Sequence, residues 1–101
     1  MNAFVDVVPL ADIPVGAGLA VDIGGNRVAL FHVDGEVFAT DNACIRCAGE
    51  LASGRLHGHD VECPQCGWRY DVVTGCVHKV PKLRLDTFAV CVSGANVMLR
   101  N

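Results

Sequence analysis

The chain has 101 residues, of which 51% are apolar, and carries a formal net charge of −3. This length predicts a single domain over residues 1–101, and the apolar fraction excludes a disordered chain. The eight Lys and Arg residues are scattered without a basic stripe, which argues against a nucleic-acid partner. The mild acidic excess suits docking onto a basic protein surface.

Along the chain, short apolar runs alternate with turn residues, a pattern typical of an all-β domain. Gly24-Gly25-Asn26 and Asp34-Gly35 permit the positive φ of tight hairpin turns. No segment has helical periodicity over ten residues, so at most a helical turn is expected, near residues 13–15 or 50–53. The predicted strands are residues 3–8, 18–23, 27–33, 36–40, 60–63, 69–71, 87–91 and 97–99.

The N-terminus has no basic region ahead of an apolar stretch and therefore does not look like a signal peptide. The uncharged run at residues 13–21 contains a proline and two glycines and is too short to cross a membrane. We therefore expect a cytoplasmic protein with no membrane partner. In that compartment, six cysteines indicate metal binding rather than disulfides.

Four of the cysteines form two Cys-x-x-Cys pairs, separated by the fifteen residues 48–62. Two residues between thiols allow a tight turn to aim both sulfurs at one point, where backbone N–H groups stabilise the thiolates. The spacing between the pairs is typical of four-thiolate metal sites. Two disulfides or four buried thiols are the alternatives to metal. The predicted ligands are Cys44, Cys47, Cys63 and Cys66.

The sequence around these cysteines resembles the Rieske ferredoxin family. Residues 35–44 resemble the strand that enters the first cluster loop of that family, and residues 51–56 resemble the segment between its two loops. Residues 63–71 resemble the second loop with the strand that leaves it, and Thr74-Gly75 matches a turn. The resemblance implies an all-β fold of three stacked antiparallel sheets, with two metal-binding loops, at about residues 42–68, at one tip.

The sequence also departs from the pattern of that family, which has Cys-x-His in the first loop and Cys-x-x-His in the second. Arg46 stands where the first histidine belongs and is followed by Cys47, and Cys66 stands where the second belongs. Gly49 and Gln65 occupy the positions that form a disulfide in high-potential members. The loop that covers the cluster is thin here, with a single proline over residues 77–82.

The number and identity of the metal ions stay open at this level. Thiols reach less far than the imidazoles they replace, and two similar Cys-x-x-Cys turns can enclose one tetrahedral metal, as in rubredoxin or a zinc ribbon. A [2Fe–2S] cluster on four thiolates is also chemically permitted. The short reach of the thiols and the likeness of the two turns slightly favour a single metal over [2Fe–2S]. The Rieske resemblance favours iron, and zinc is kept as the alternative.

The remaining reactive side chains favour structural roles. We expect Cys76 and Cys91 to be free core thiols, and Trp68 to pack under the second loop. His32 is expected to be structural, and His57 and His59 to lie in a solvated loop rather than replace the missing ligands. For Arg46 we expect an exposed side chain. His78 falls in the covering loop, near the metal.

These observations predict a small electron carrier without catalytic residues of its own. The resemblance implies that it carries one electron from a flavin- or iron–sulfur-containing reductase to an oxygenase or similar acceptor. We expect a monomer that docks these partners transiently. The alternatives are a non-redox zinc domain with a structural or regulatory role, and a thiol redox sensor that releases its metal on oxidation.

Overall fold

The computed structural model describes residues 4–100 and contains eleven β-strands within them. Two 3₁₀ turns are also present, Leu10–Asp12 and Leu51–Ser53. The strands are β1 Val5–Pro9, β2 Gly18–Ile23, β3 Asn26–Val33, β4 Glu36–Asp41, β5 Arg55–His57, β6 Asp60–Glu62, β7 Arg69–Asp71, β8 Cys76–Val77, β9 Val80–Arg84, β10 Thr87–Ser93 and β11 Asn96–Arg100.

The strands form two antiparallel sheets. The first has six strands in the order β1-β11-β10-β4-β3-β2, and the second has five in the order β5-β6-β7-β8-β9. The prediction of an all-β fold with antiparallel sheets is confirmed. Two of the three predicted layers are one hydrogen-bonded sheet, because β10 pairs with β4 through Thr87 and Phe88 and with β11 along the rest of its length.

Strand β3 lies at the centre of the packing, since both of its faces are buried. Val28 and Leu30 point into a core formed with β4 and β11, whereas Ala29 and Phe31 point into a second core shared with the five-stranded sheet. This alternation is the period of two expected of a strand. The predicted hairpin from β3 to β4 turns at Asp34-Gly35, whose φ values are 51° and 79°.

All eight predicted strands are present, with ends that differ by up to two residues; Ala3, where the first was predicted to begin, lies outside the described residues. The predictions missed β5, β8 and β9. The turn expected at residues 50–53 is found at Leu51–Ser53, whereas the other lies at Leu10–Asp12, just before residues 13–15. None of the helices in residues 4–100 is long and apolar enough to span a membrane.

Candidate metal centre

Two loops carry the Cys-x-x-Cys pairs, one between β4 and β5 and one between β6 and β7. We call residues 44–49 the first knuckle and residues 63–68 the second. Buried Asn42 anchors the first loop: its carbonyl accepts from the N–H of Leu51, its side-chain oxygen accepts from the N–H of Ala52, and its amide donates to Glu50. The second loop is short and is held by the pairing of β6 with β7.

The two knuckles have the same backbone hydrogen bonds. In the first, the Cys44 N–H donates to the Gly49 carbonyl (2.9 Å) and the Ala48 N–H donates to the Cys44 carbonyl (2.9 Å). In the second, the Cys63 N–H donates to the Trp68 carbonyl (2.7 Å) and the Gly67 N–H donates to the Cys63 carbonyl (3.0 Å). The two pairs are therefore local structures of one kind, facing each other.

The four sulfur atoms meet between the knuckles. All of them lie within 4.8 Å of one another, and two close contacts cross from one knuckle to the other. Cys44 Sγ is 3.6 Å from Cys66 Sγ, and Cys47 Sγ is 3.5 Å from Cys63 Sγ. A tetrahedral metal with bonds of about 2.3 Å to sulfur requires sulfur–sulfur distances of about 3.8 Å. The group therefore matches a four-thiolate site, and residues 4–100 contain no other cluster of potential metal ligands.

Tyr70 of β7 contacts the first knuckle through its hydroxyl group. Its hydroxyl oxygen accepts a hydrogen bond from the Ile45 N–H (2.9 Å) and lies 3.1 Å from Cys44 Sγ. Because the oxygen lone pair serves Ile45, the hydroxyl proton is free to donate to the sulfur. Burial and the neighbouring Cys44 raise the pKa of Tyr70 well above its usual range, so that the proton stays on the phenol.

The metal-free thiols differ in how readily they ionise. Burial opposes ionisation of Cys44, but hydrogen bonds from Tyr70 and from the N–H groups of Cys47 and Arg46 outweigh it and lower its pKa to about 6. For Cys47, the Gly49 N–H favours the thiolate, yet burial and the neighbouring thiols prevail and raise its pKa to about 12. The pKa of Cys66 is also raised, since burial and Cys44 outweigh the Trp68 N–H. A full set of four thiolates therefore requires a cation between them.

No histidine belongs to the sulfur cluster in the described part of the chain. The His32 ring lies 3.3 Å from the Ile13 carbonyl. His57 lies in β5, 2.8 Å from Glu62, and His59 is exposed beside Asp34. His78 lies 3.6 Å from Asp60. A cluster with two imidazole ligands therefore does not fit the residues present, whereas an all-thiolate group does.

The other predicted side chains lie partly where expected. Trp68 is half-buried and packs against the core of the five-stranded sheet. Arg46 is exposed, with its guanidinium 5.6 Å from the centre of the Trp68 ring. Cys76 is half-buried, but the prediction of a core position for Cys91 is wrong, because this residue is on the exposed face of β10.

Sequence reasoning missed two residues of the site. One is Tyr70, whose only sequence signal is a hydroxyl at an inward position of a strand that begins three residues after Cys66. The other is Gly49, which is buried between the two knuckles. A Cβ at this position would lie 3.1 Å from Cys63 Sγ and 3.2 Å from the Gln65 side chain. The glycine thus allows the second knuckle to approach the first.

Comparison with known proteins agrees with this architecture. A sequence model of the Rieske-like [2Fe–2S] domain matches residues 3–100. The chain is 38% identical over 97 residues to the ferredoxin component of a naphthalene 1,2-dioxygenase system from Pseudomonas aeruginosa, covering 95% of this chain and 93% of that one.

Solved structures are also similar to this chain. The ferredoxin of carbazole 1,9a-dioxygenase from Nocardioides aromaticivorans has 28% identity and a TM-score of 0.88, with 96% of each chain covered. A ferredoxin solved in a complex with the oxygenase of carbazole 1,9a-dioxygenase has 27% identity and a TM-score of 0.85, covering 96% of this chain and 92% of that one. These relatives are ferredoxins, and the chain belongs to the family of Rieske-like [2Fe–2S] domains.

Proposed function

We propose that this protein is an electron carrier that transfers one electron through an iron site on Cys44, Cys47, Cys63 and Cys66. The observation that carries the proposal is the convergence of the four sulfur atoms within 4.8 Å of one another. Four thiolates bind iron in both rubredoxin-like and iron–sulfur sites. The knuckles hold the sulfurs, their N–H groups stabilise the thiolate charge, and burial of Cys44 and Cys63 limits access of water.

A single iron accounts for the sulfur distances better than a [2Fe–2S] cluster. Thiolates on one tetrahedral metal are about 3.8 Å apart, which is close to the 3.5 and 3.6 Å between the knuckles. In a sulfide-bridged pair of irons, thiolates on different irons are further apart by the iron–iron separation. The equal hydrogen bonding of the two knuckles also supports a symmetric, mononuclear site.

The partners follow from the relatives. The relative from Pseudomonas aeruginosa is named as the ferredoxin component of a dioxygenase system, and a similar ferredoxin was solved in complex with an oxygenase. We therefore propose that this protein accepts an electron from a reductase and delivers it to an oxygenase or a similar acceptor. A carrier with this role needs only a small and transient interface with each partner.

The first test is the visible absorption spectrum of anaerobically purified protein before and after dithionite, together with iron and acid-labile sulfide analysis. A coloured protein that bleaches reversibly, with one iron and no labile sulfide per chain, is expected. Two irons and two sulfides would leave electron transfer in place and overturn the mononuclear site. A colourless protein with tightly bound zinc would overturn the carrier function.

The reduction potential provides a second test, since no imidazole belongs to the sulfur cluster in residues 4–100. In His-ligated Rieske clusters the ligand imidazoles titrate, which makes the potential depend on pH. We expect a potential that is nearly flat from about pH 6 to 9. A slope of about 59 mV per pH unit, measured by protein-film voltammetry, would contradict all-thiolate ligation.

A structural or regulatory zinc domain is the second candidate. The same knuckle geometry favours it, because a closed tetrahedral set of four thiolates is typical of structural zinc. In that case, the protein would retain the fold of the family without the redox activity. Metal analysis of the protein purified from cells grown with both metals separates the two candidates.

A further inference from the structure

Half of the Lys and Arg residues of this acidic protein lie in one short segment, residues 63–84. Residues 63–84 contain four Lys and Arg residues and a single acidic residue, Asp71, whereas the whole chain has eight against eleven. This segment comprises the second knuckle, β7, β8 and β9. The four cations are Arg69, Lys79, Lys82 and Arg84.

Beside the second knuckle lies an open groove, which we call the Trp68 groove. Its walls are residues 67–69 and 77–80, and its volume is about 370 Å³. Arg46 of the first knuckle extends over the ring of Trp68, with its guanidinium carbon 5.6 Å from the ring centre. Three cationic side chains therefore surround the groove, contributed by Arg46, Arg69 and Lys79.

Few carboxylates within the protein oppose these cations. Asp60 lies 3.6 Å from Arg69 and 3.6 Å from His78, and it is the only acidic residue paired with a side chain of the groove in the described part of the chain. Arg46 and Lys79 have no ion pair within residues 4–100, and Nε of Arg69 is buried without a hydrogen-bond partner. With histidine counted as neutral, three cations and one carboxylate sum to +2 for the side chains around the groove. The four-thiolate centre beside it adds −1 with Fe³⁺ and −2 with Fe²⁺ or Zn²⁺, so the positive charge is confined to the three cationic side chains.

The groove also lies next to the sulfur cluster. Trp68 follows Cys66 by two residues, and its N–H favours the Cys66 thiolate. Cys66 and Cys47 are half-buried, whereas Cys44 and Cys63 are buried, so this side of the cluster is the more accessible one. A partner bound in the groove would therefore contact Trp68, whose backbone N–H interacts with the Cys66 thiolate.

We propose that the Trp68 groove docks a carboxylate-rich segment of a redox partner protein. The proposal rests on the electron-carrier function and adds the sign of the charge on the partner. The net charge of −3 alone would indicate a basic partner surface, whereas the groove indicates an acidic one. Carboxylates of the partner pair with Arg46, Arg69 and Lys79, and an apolar or aromatic side chain packs on Trp68.

The first experiment measures electron exchange between the reduced holoprotein and ferricyanide, a trianion, as a function of salt. If exchange takes place beside the cationic groove, the rate falls by about threefold or more between about 0.01 M and 0.2 M ionic strength, because salt screens the attraction. A rate that rises with salt would show that the net negative charge dominates and would overturn the proposal. A cationic cobalt complex should show the opposite trend.

Matched variants locate the effect. Arg46→Gln combined with Lys79→Gln removes both unpaired cations and should abolish the salt dependence. Arg55→Gln combined with Arg100→Gln removes the same net charge from exposed positions on other strands and should leave it unchanged. Equal effects of the two pairs would overturn the proposal. If the variant with Arg46→Gln does not fold, Lys79→Gln is measured alone. Lys79 lies outside the knuckles, and this single substitution should reduce the salt dependence by about half.

The second experiment does not require redox activity. Poly-L-glutamate is titrated into the holoprotein while the fluorescence of Trp68, the single tryptophan, is recorded. A saturable change that Lys79→Gln weakens about threefold or more supports the groove, whether the protein holds iron or zinc. Electron exchange without any response to poly-L-glutamate would leave the carrier function standing and overturn the docking surface.

Discussion

At the scale of single residues, Ala48 and Gly67 occupy the same position, directly after the second cysteine of each knuckle. Both have the positive φ of the left-handed region, 61° for Ala48 and 80° for Gly67. Glycine adopts this conformation without strain, whereas alanine is disfavoured there by about 1 kcal/mol. We therefore expect Ala48→Gly to raise the free energy of unfolding by about 0.5–1 kcal/mol, measured by urea denaturation of the holoprotein.

The reverse substitution in the other knuckle is the control. A Cβ on Gly67 would have no heavy atom within 4 Å. Gly67→Ala therefore tests backbone strain without a steric clash, and it should lower the free energy of unfolding by about 1 kcal/mol. A stabilising Gly67→Ala variant would contradict the equivalence of the two knuckles.

Tyr70 is expected to tune the reduction potential. Its hydroxyl donates to Cys44 Sγ, and this bond is stronger in the reduced state, in which the site carries more negative charge. Tyr70→Phe should therefore lower the potential by tens of millivolts, since about 1 kcal/mol is about 40 mV for one electron. Protein-film voltammetry gives the shift. If Tyr70→Phe lowered the stability but left the potential unchanged, the role of the Tyr70 hydroxyl would be limited to accepting the hydrogen bond from the Ile45 N–H.

At the scale of elements, strands with a long apolar run next to a turn were predictable, whereas three of the five strands of the second sheet, β5, β8 and β9, were not. Strand β3 has eight residues with a nearly continuous apolar stretch, and a glycine turn follows it. In contrast, β8 has two residues, and every residue of β9 is exposed, with Pro81 and Lys82 in its middle. Such strands form because pairing aligns them, β8 with both β7 and β9, and their own sequence carries little signal.

Gly75 is the residue on which the arrangement of β8 and β9 depends. Its φ is 80°, its N–H donates to the Asp71 carbonyl, and an added Cβ would collide with the carbonyl oxygen of Leu85. Gly75→Ala combines backbone strain with a clash that only a backbone shift can relieve. We expect it to lower the free energy of unfolding by about 2 kcal/mol or more in urea denaturation.

Gly94 provides the comparison for this substitution. Its φ is 61°, and an added Cβ would have no atom within 4 Å. Gly94→Ala therefore introduces backbone strain without a steric clash, and it should lower the free energy of unfolding by about 1 kcal/mol. If the two variants lost equal stability, the close approach of Gly75 to Leu85 would contribute nothing.

At the scale of the whole molecule, the four sulfurs were predictable as a group because each Cys-x-x-Cys turn is a local structure and the spacing between the turns is short. The surroundings of the cluster were not. Tyr70 reaches Cys44 only because β7 passes beneath the first knuckle. The Trp68 groove exists because β8 returns beside β7 through the hydrogen bond from His78 to Arg69. The first contact joins residues 26 positions apart, and the second depends on how β8 turns back beside β7; neither follows from a local sequence pattern.

Removal of the metal tests how the two cores are connected. Cys44 and Cys63 belong to the core that β3 shares with the five-stranded sheet, whereas the other core contains no ligand. We expect chelation to lower the free energy of unfolding by about 4 kcal/mol relative to protein with metal at about 1,000 times its dissociation constant. The protein without metal should stay folded, because the core among β3, β4 and β11 does not depend on the site.

Hydrogen exchange measured by NMR resolves the effect along the chain. Without metal, the amides that hold the knuckles, those of Cys44, Ala48, Cys63 and Gly67, should exchange much faster, since their hydrogen bonds lie at the end that opens. The amides of residues 28–31, in the middle of β3, should stay protected because they pair on both sides. Loss of protection in β3 at the same rate would mean that the metal site and both cores unfold as one unit.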